Sequence, residues 1–324
     1  MINKNNTLLE VKNLEVKFFL KNKIIHAVNK VNFKVNRGEI VSFVGESGCG
    51  KSVTALSILR LIKPPGKIVN GKILFNGKDL LKLKEQEIRK IRGKDISIIF
   101  QDPMTSLNPV FKVGEQIREV ITTHYPYISK KESKQMVIEL LEKLKIPKER
   151  YNSYPFELSG GMRQRIMIAM AIILKPSLII ADEPTTALDI SVQREIIDLL
   201  LKLKEELNLS IIFITHDLRI VNYISDRVYI MYAGKIIEEG NKDEIFRNPL
   251  HPYTQALLNS IPKIGGNRRL YSIPGSVLNL WNLPENCYFY NRCEKKIDLC
   301  KNKYPLYKTI NENHKVACWL YDRN

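Results

Sequence analysis

The sequence has no long hydrophobic run, because nowhere do 18 or more apolar residues follow one another. A helix needs about 20 such residues to cross a bilayer, so we expect no membrane-spanning segment. The N-terminal residues Met1 to Asn6 also lack the apolar core of a signal peptide. Both absences predict a protein of the cytoplasmic compartment.

The sequence also lacks a dense basic stripe with interleaved aromatic residues, although its formal net charge is +17. Its basic residues are scattered, lysine outnumbers arginine more than two to one, and asparagine and isoleucine are abundant. This composition is typical of A/T-rich genomes, so the charge alone does not indicate nucleic-acid binding. We expect no nucleic acid as a partner; an anionic lipid surface or an acidic partner face suits the charge better.

Cysteine is scarce before the C-terminal part of the chain. Of the five cysteines one is Cys49, and the other four lie between positions 287 and 318. Cytosolic proteins keep their thiols reduced, so this cluster predicts a metal site before it predicts disulfides.

The N-terminal pattern is one of strands that lead into a glycine-rich loop. Alternating apolar residues predict a strand from Leu8 to Phe19 and an antiparallel neighbour from Ala27 to Val35. A buried strand, Glu39 to Val44, then runs into the loop, and a helix is expected from Ser52 to Ile62. Strand, glycine loop and helix in this order are the context of a phosphate-binding loop.

Residues 102–157 are polar and helical in period, which predicts an inserted helical subdomain. One of its helices has an apolar face of four residues: Val137, Leu140, Leu141 and Leu144. The core then resumes with a helix after Gly161, a strand at 177–182, a helix at about 191–207 and a strand at 210–215. We therefore predict an α/β fold, a P-loop NTPase core with a mostly parallel sheet, an antiparallel β subdomain and this insertion. Frequent prolines past residue 240 predict an irregular C-terminal extension, 241–324.

The glycine-rich loop has the residue types that bind phosphate. Its glycines let backbone N–H groups turn toward the phosphates, and the following helix adds the positive end of its dipole. Lys51 is expected to reach the β- and γ-phosphates, and the Ser52 hydroxyl to ligate Mg²⁺. The predicted nucleotide-binding loop has eight residues: Gly45, Glu46, Ser47, Gly48, Cys49, Gly50, Lys51 and Ser52.

Two carboxylates, Asp182 and Glu183, follow an apolar strand and so lie at its carboxyl end. In folds of this type that end faces the phosphate loop. Asp182 is expected to hold Mg²⁺ through water, and Glu183 to polarise the attacking water as a general base. Acidic pairs also cap strands for solubility, but the phosphate loop in the same chain favours the catalytic interpretation.

Four further motifs resemble the loops of one ATPase family, in its order and at its spacing. Leu158 to Arg165 (LSGGMRQR), Gln101, Ala187 to Asp189 and Thr215 to Asp217 resemble the signature, Q-, D- and H-loops of ATP-binding cassette (ABC) ATPases. The resemblance covers residues of about 8–240 and implies an ABC ATPase domain at 1–240.

The resemblance implies a role for each loop. Gln101 would supply a side-chain oxygen to Mg²⁺ or to the lytic water, and His216 would contact the γ-phosphate. The adenine would stack on Phe18, which fits the family's position, with the adjacent Phe19 as the alternative. The signature and D-loops would serve ATP held by an opposite, homologous subunit, so a homo- or heterodimer with two sandwiched nucleotides is implied. The residues concerned are Ser159, Gly160, Gly161 and Asp189.

Two longer stretches, Ser159 to Ala171 and His251 to Leu258, resemble the ATPase subunits of dipeptide/oligopeptide and nickel importers. The resemblance implies a peripheral protein on the cytoplasmic face of the membrane that powers peptide uptake. Its partners would be transmembrane permease subunits, which would dock on 102–157, and, indirectly, an extracytoplasmic solute-binding protein. Import of nickel or another small solute is the alternative. A soluble cassette ATPase acting on nucleic acid or ribosomes is a further one, but such proteins usually carry two cassettes or a coiled-coil insertion.

The C-terminal cysteines also match this branch. Four thiolates hold either a tetrahedral zinc or an iron–sulfur cluster. Zinc usually takes tight C-x2-C pairs, whereas the gaps here are five, six and seventeen residues, which together with the resemblance favours [4Fe–4S]. Zinc, unliganded thiols and disulfides stay open, as does a regulatory role in sensing iron or redox state. The four predicted ligands are Cys287, Cys293, Cys300 and Cys318.

Overall fold

The computed structural model describes residues 6–186, 188–261 and 273–322. The chain divides into two compact units. The first comprises the described residues up to Lys82 and those from Ile214 onward, and the second is Leu83–Phe213.

The first unit begins with an antiparallel sheet. Long strands β1 and β2 pair along their length, with Val11 opposite Phe33, and β1 also pairs with β4, which gives the strand order β2-β1-β4-β5. This confirms the predicted antiparallel pair. The elements in this part are β1 (Thr7–Leu20), β2 (Lys23–Asn36), β3 (Ile40–Val44), α1 (Lys51–Ile58), β4 (Gly66–Phe75) and β5 (Lys78–Asp79).

The second unit contains parallel strands and several helices. Strand β6 runs parallel to β7, with Ile99 opposite Ala181, and the order is β8-β7-β6. The predicted apolar face of α5 is buried at Val137 and Leu141. The elements are α2 (Glu85–Ile91), β6 (Ile96–Ile99), α3 (Pro103–Ser106), α4 (Val113–His124), α5 (Lys130–Lys143), α6 (Gly160–Ile172), β7 (Leu178–Asp182), α7 (Ile190–Leu207) and β8 (Ser210–Ile214).

The chain then returns to the first unit and extends the sheet that contains β3. Strand β9 is parallel to β3, whereas β10, β12 and β11 follow outward as antiparallel neighbours. The remaining elements are α8 (Leu218–Ile224), β9 (Arg227–Tyr232), β10 (Lys235–Asn241), α9 (Lys242–Arg247), α10 (Pro252–Asn259), α11 (Asp298–Asn302), β11 (Lys308–Asn311) and β12 (His314–Val316).

The C-terminal extension is more ordered than the sequence predicts. Its described residues include three short α-helices and the hairpin β11–β12, which joins the sheet at β10. These strands have only four and three residues, too few for an alternating pattern to stand out.

An aromatic cluster packs the extension onto β9. The rings of Tyr232, Tyr253 and Phe289 are buried, and their centroids lie 4.7–5.4 Å apart. Aromatic burial of this kind fixes the extension by packing, in addition to any cysteine chemistry.

Within the described ranges, no helix combines the length and apolar character that crossing a membrane requires.

Candidate functional site

The phosphate loop, residues 45–52, connects the buried strand β3 to helix α1. Two of its glycines are required by close backbone approach. A Cβ atom on Gly45 would lie 2.2 Å from the carbonyl oxygen of Met231, and one on Gly50 would lie 2.4 Å from that of Ala27. Gly50 also takes a left-handed φ of 106° where α1 begins. The loop is therefore held tightly against neighbouring backbone.

Lys51 lies folded under the loop. Its side chain donates to the carbonyl oxygens of Gly45 (2.7 Å) and Glu46 (3.0 Å), and the residue is 6% exposed. Beside it, burial raises the pKa of the Cys49 thiol, so this cysteine is neutral at ordinary pH. Ser52 follows in the first turn of α1 and is half-buried.

In the second unit, the acidic pair stands where strand β7 ends. Asp182 is the last strand residue and is buried. Glu183 takes a left-handed φ of 47°, and its Oε2 accepts hydrogen bonds from Gln101 Nε2 (3.1 Å) and Thr186 Oγ1 (2.9 Å). Gln101 follows β6, the parallel neighbour of β7, so the register of the two strands brings amide and carboxylate together.

The signature motif forms the start of helix α6. Ser159 is its N-cap, and its hydroxyl accepts from the backbone N–H of Met162 at 3.3 Å. Gly160 and Gly161 follow as the first helical residues, and a Cβ atom on Gly161 would lie 2.8 Å from Val192 Cγ1. Asp189 occupies the N-cap position of α7 and is exposed, whereas Ala187 of the predicted D-loop lies outside the described residues.

Helix α6 is also tied to the helical insertion. The guanidinium of Arg165 donates to the carbonyl oxygen of Leu144 (3.0 Å) and to Glu195 on α7 (2.8 Å). One side chain thus connects the signature helix to the end of α5 and to the helix that follows the D-loop.

In the first unit, His216 is exposed just after strand β8. The preceding residue is held to β3, because the backbone N–H of Thr215 donates to the carbonyl oxygen of Phe43 at 3.4 Å. Asp217 caps α8 by accepting from the N–H of Arg219. His216 therefore leaves the sheet at the end of β3 that leads into the phosphate loop.

The two candidate adenine-stacking rings differ in their surroundings. Phe18 is half-buried, and its Cε1 lies 2.7 Å from where a Cβ atom on Gly66 would stand. Phe19 is exposed, with the ammonium of Lys67 at 5.9 Å from its ring centroid. The assignment of the adenine to Phe18 stays a prediction.

The four C-terminal cysteines lie in one region of the first unit as free thiols. The backbone N–H of Cys287 donates to the carbonyl oxygen of Cys300 at 3.1 Å. Burial is the main cause that raises the pKa of Cys287 to about 12 and that of Cys318 to about 11, and the nearby thiols of Cys293 and Cys300 contribute to both shifts. In the part of the chain that the structure describes, however, no group of three or more His, Cys, Asp or Glu side chains could hold a metal ion. This arrangement does not support the predicted metal centre.

The sequence did not reveal the partners of Glu46 in the phosphate loop. Its carboxylate is paired with Arg292, and its backbone N–H donates to the hydroxyl of Tyr253. Both partners belong to the extension past residue 240. The only signal was indirect, since Tyr253 stands in the His251 to Leu258 stretch and Arg292 directly precedes Cys293.

Comparison with known proteins covers the chain almost from end to end. Residues 28–186 match the family described as ABC transporter, and residues 237–300 match that described as oligopeptide/dipeptide transporter, C-terminal region. A probable peptide ABC transporter ATP-binding protein of Sinorhizobium fredii is 47% identical over 98% of this chain and 96% of its own length. The oligopeptide transport ATP-binding protein OppD of Bacillus subtilis is 49% identical over 97% of this chain and 88% of its own.

Solved structures agree with this similarity. The ATP-binding cassette MJ0796, in a dimeric post-hydrolysis state bound to ADP and Pi, superposes with a TM-score of 0.66 at 30% identity. It covers 72% of this chain and 98% of its own. The fold and the loops on it thus define an ATP-binding cassette ATPase. The chain belongs to the ABC transporter family, in the branch that carries the oligopeptide/dipeptide transporter C-terminal region. The predicted family, fold class and ATPase class are confirmed.

Proposed function

We propose that this chain hydrolyses ATP to power the uptake of di- or oligopeptides through a membrane permease. The observation that carries this proposal is the match over nearly the whole chain to relatives named as peptide and oligopeptide transport ATP-binding proteins. The match includes residues 237–300, which a generic cassette does not require.

The residues of the phosphate loop bind the triphosphate in this proposal. Backbone N–H groups and the start of α1 hold the phosphates, and Lys51 neutralises the β- and γ-phosphates. The Ser52 hydroxyl and Asp182 are oxygen donors of the kind that Mg²⁺ prefers, with Asp182 acting through water. The adenine stacks on Phe18, and His216 orients the γ-phosphate.

Glu183 is the proposed general base, and its hydrogen bonds support the assignment. Gln101 and Thr186 both donate to the Glu183 carboxylate, which fixes its direction at the end of β7. Because the Gln101 amide nitrogen is used in this bond, its oxygen is the atom that we assign to Mg²⁺ or to the lytic water. A change at the helical insertion that moved Gln101 would therefore act directly on the base.

We assign the docking of the permease to the helical insertion, 102–157. Large apolar side chains are exposed there, including Val110 (70% exposed) and Phe156 (67%). Exposed apolar side chains of this size are typical of interaction surfaces. Two side-chain hydrogen bonds connect the region of the insertion with the predicted catalytic and signature residues. Gln101, which directly precedes the insertion, donates to Glu183, and Arg165 of the signature helix donates to the carbonyl oxygen of Leu144 at the end of α5. The chain would then act peripherally at the cytoplasmic face of the membrane.

The test is to co-purify the chain with its membrane partners and to reconstitute the complex in vesicles. ATP-dependent accumulation of labelled di- or oligopeptides, abolished in a Glu183→Gln complex, is the expected result. Uptake of Ni²⁺ without peptide uptake would show that the transported solute is nickel and not a peptide. ATPase activity that depends on nucleic acid or ribosomes, with no permease recovered, would contradict it.

We further propose that the four C-terminal cysteines hold a [4Fe–4S] cluster rather than zinc. Zinc–sulfur bonds of about 2.3 Å draw four sulfurs around one ion. The wide gaps between the four cysteines, five, six and seventeen residues, are unlike the tight C-x2-C pairs of structural zinc sites and favour the cluster. Burial raises the pKa of Cys287, Cys293 and Cys318, so positive charge from a bound metal would favour their thiolate forms.

Anaerobically purified protein should therefore contain about four iron atoms and four acid-labile sulfides per chain, with visible absorption. Cys293→Ser should lose most of this iron, because it removes one ligand. Cys49→Ser is the matched control and should keep it, since Cys49 lies in the phosphate loop. Stoichiometric zinc, or iron that Cys293→Ser leaves unchanged, would contradict the proposal.

A further inference from the structure

Glu46 is the one acidic residue of the phosphate loop, 45–52. A carboxylate next to a bound triphosphate opposes binding, because like charges repel and a partly buried site screens them poorly. The Glu46 side chain is only 24% exposed. The loop therefore needs something that offsets this charge.

Arg292 pairs with Glu46 in a bidentate arrangement. Its two terminal nitrogens donate to the two carboxylate oxygens of Glu46 at 2.7 Å and 2.8 Å. The arginine side chain is only 4% exposed, and its Nε donates to the carbonyl oxygen of Pro274 at 2.9 Å. The guanidinium also lies 5.8 Å from the ring centroids of Tyr232 and Phe289. Because these contacts hold the planar guanidinium of Arg292 from several sides, the side chain has little freedom to move.

A second contact from the extension reaches the same loop residue. The backbone N–H of Glu46 donates to the hydroxyl of the buried Tyr253 at 2.9 Å. The first turn of α10 is itself ordered, since the N–H of Tyr253 donates to His251 Nδ1 at 3.0 Å. Main chain and side chain of Glu46 are thus both held by residues past 240.

We propose that Arg292 is a positioning residue of the nucleotide site. It neutralises the Glu46 carboxylate and holds it away from the phosphates, so the C-terminal extension is needed for tight ATP binding. The inference rests on the proposed function in one respect, namely that residues 45–52 bind the triphosphate. It goes beyond that function by making the extension part of the ATP site.

The competing explanation is that Arg292 only stabilises the packing of the extension. Removing the charge of Glu46 distinguishes the two explanations. If Arg292 acted by packing alone, removing the charge of Glu46 would not repair the loss of Arg292. If it acts by neutralising Glu46, then Glu46→Gln should remove the need for the arginine. The double variant also avoids a buried carboxylate without a partner, which is a main cause of unfolding when one member of such a pair is removed.

The experiment measures the affinity of the full chain for a fluorescent ATP analogue with Mg²⁺, alongside thermal unfolding. We expect Arg292→Met to weaken binding at least about tenfold, as a close, poorly screened charge predicts. Arg292→Lys should fall between this variant and wild type, because lysine keeps the charge but not the bidentate geometry. The double variant Glu46→Gln/Arg292→Met should recover to within about threefold of wild type.

Arg247→Met is the matched control, since Arg247 also lies in the extension but is exposed on α9 and pairs with Asp243. It should bind the analogue as wild type does. Wild-type binding of Arg292→Met, or a double variant as weak as Arg292→Met alone, would overturn the inference and leave the proposed function standing. A wild-type chain that binds no ATP analogue would instead overturn the proposed function.

Discussion

Replacing Glu183 by Gln should lower ATP hydrolysis by at least about a hundredfold while ATP binding stays intact, as is typical when a general base is removed. Glutamine has the same shape, and its side-chain oxygen still accepts from Gln101 and Thr186, which donate to Glu183 in the structure. What it loses is the capacity to take a proton from water. The measurement is the ATPase rate of the assembled transporter together with ATP affinity.

The matched control is Glu205→Gln, a change of the same chemistry at an exposed residue of α7. It should leave the ATPase rate unchanged. Hydrolysis by Glu183→Gln within a few-fold of wild type would contradict the assignment of the base. A loss of ATP binding equal to the loss of hydrolysis would assign the residue to binding instead.

The backbone of Glu183 gives a separate reason to regard this position as special. Its φ of 47° lies in the left-handed region, which costs a non-glycine residue roughly 1 kcal/mol or more. Strand β7 ends at Asp182, so the chain leaves the extended conformation at this carboxylate. Strain of this kind persists only where the surrounding structure holds it.

Local sequence patterns predicted those parts of the fold that depend on neighbouring residues. Strand β3 is an apolar run that ends in glycines, and α7 has an apolar stripe that includes Ile196, Leu200 and Leu203. These signals have short range, and the structure confirms them within a few residues. The prediction that Asp182 and Glu183 stand at a strand end came from the same short-range signals, whereas Gln101 was identified by the family resemblance.

Contacts between distant parts of the chain could not be predicted in this way. Arg292 and Glu46 are 246 residues apart, and neither periodicity nor spacing relates them. Their pairing depends on the aromatic packing that seats the extension on β9, which is a property of three-dimensional shape. The hairpin β11–β12 escaped prediction for a related reason, because strands of four and three residues are recognised by the edge they join.

The C-terminal cysteines show a different limit of prediction from the sequence. Their number and spacing predicted a shared centre, and the fold does bring Cys287 and Cys300 into backbone contact. Side-chain positions suited to metal depend on the metal itself, because thiolates at neutral pH need its charge. Sequence therefore predicts a group of ligands, whereas the side chains that the structure describes do not form a group that could hold a metal ion.

The second large effect is expected at the signature loop, where Gly160→Asp should abolish at least about 99% of ATP hydrolysis by the assembled transporter. The start of α6 offers N–H groups and a positive helix end to the phosphates of ATP held by an opposite subunit, and a carboxylate there repels them. The same carboxylate favours the helix start, so the thermal midpoint should stay level or rise.

Because the chain's own phosphate loop is untouched, the isolated chain should bind ATP as before. Gly160→Ala is the matched control, since among the described residues a Cβ there lies 3.5 Å from Leu188 Cδ2, an ordinary contact. Loss of ATP binding by the isolated Gly160→Asp chain would mean that the signature loop serves the ATP of its own subunit, and normal hydrolysis would remove it from the site.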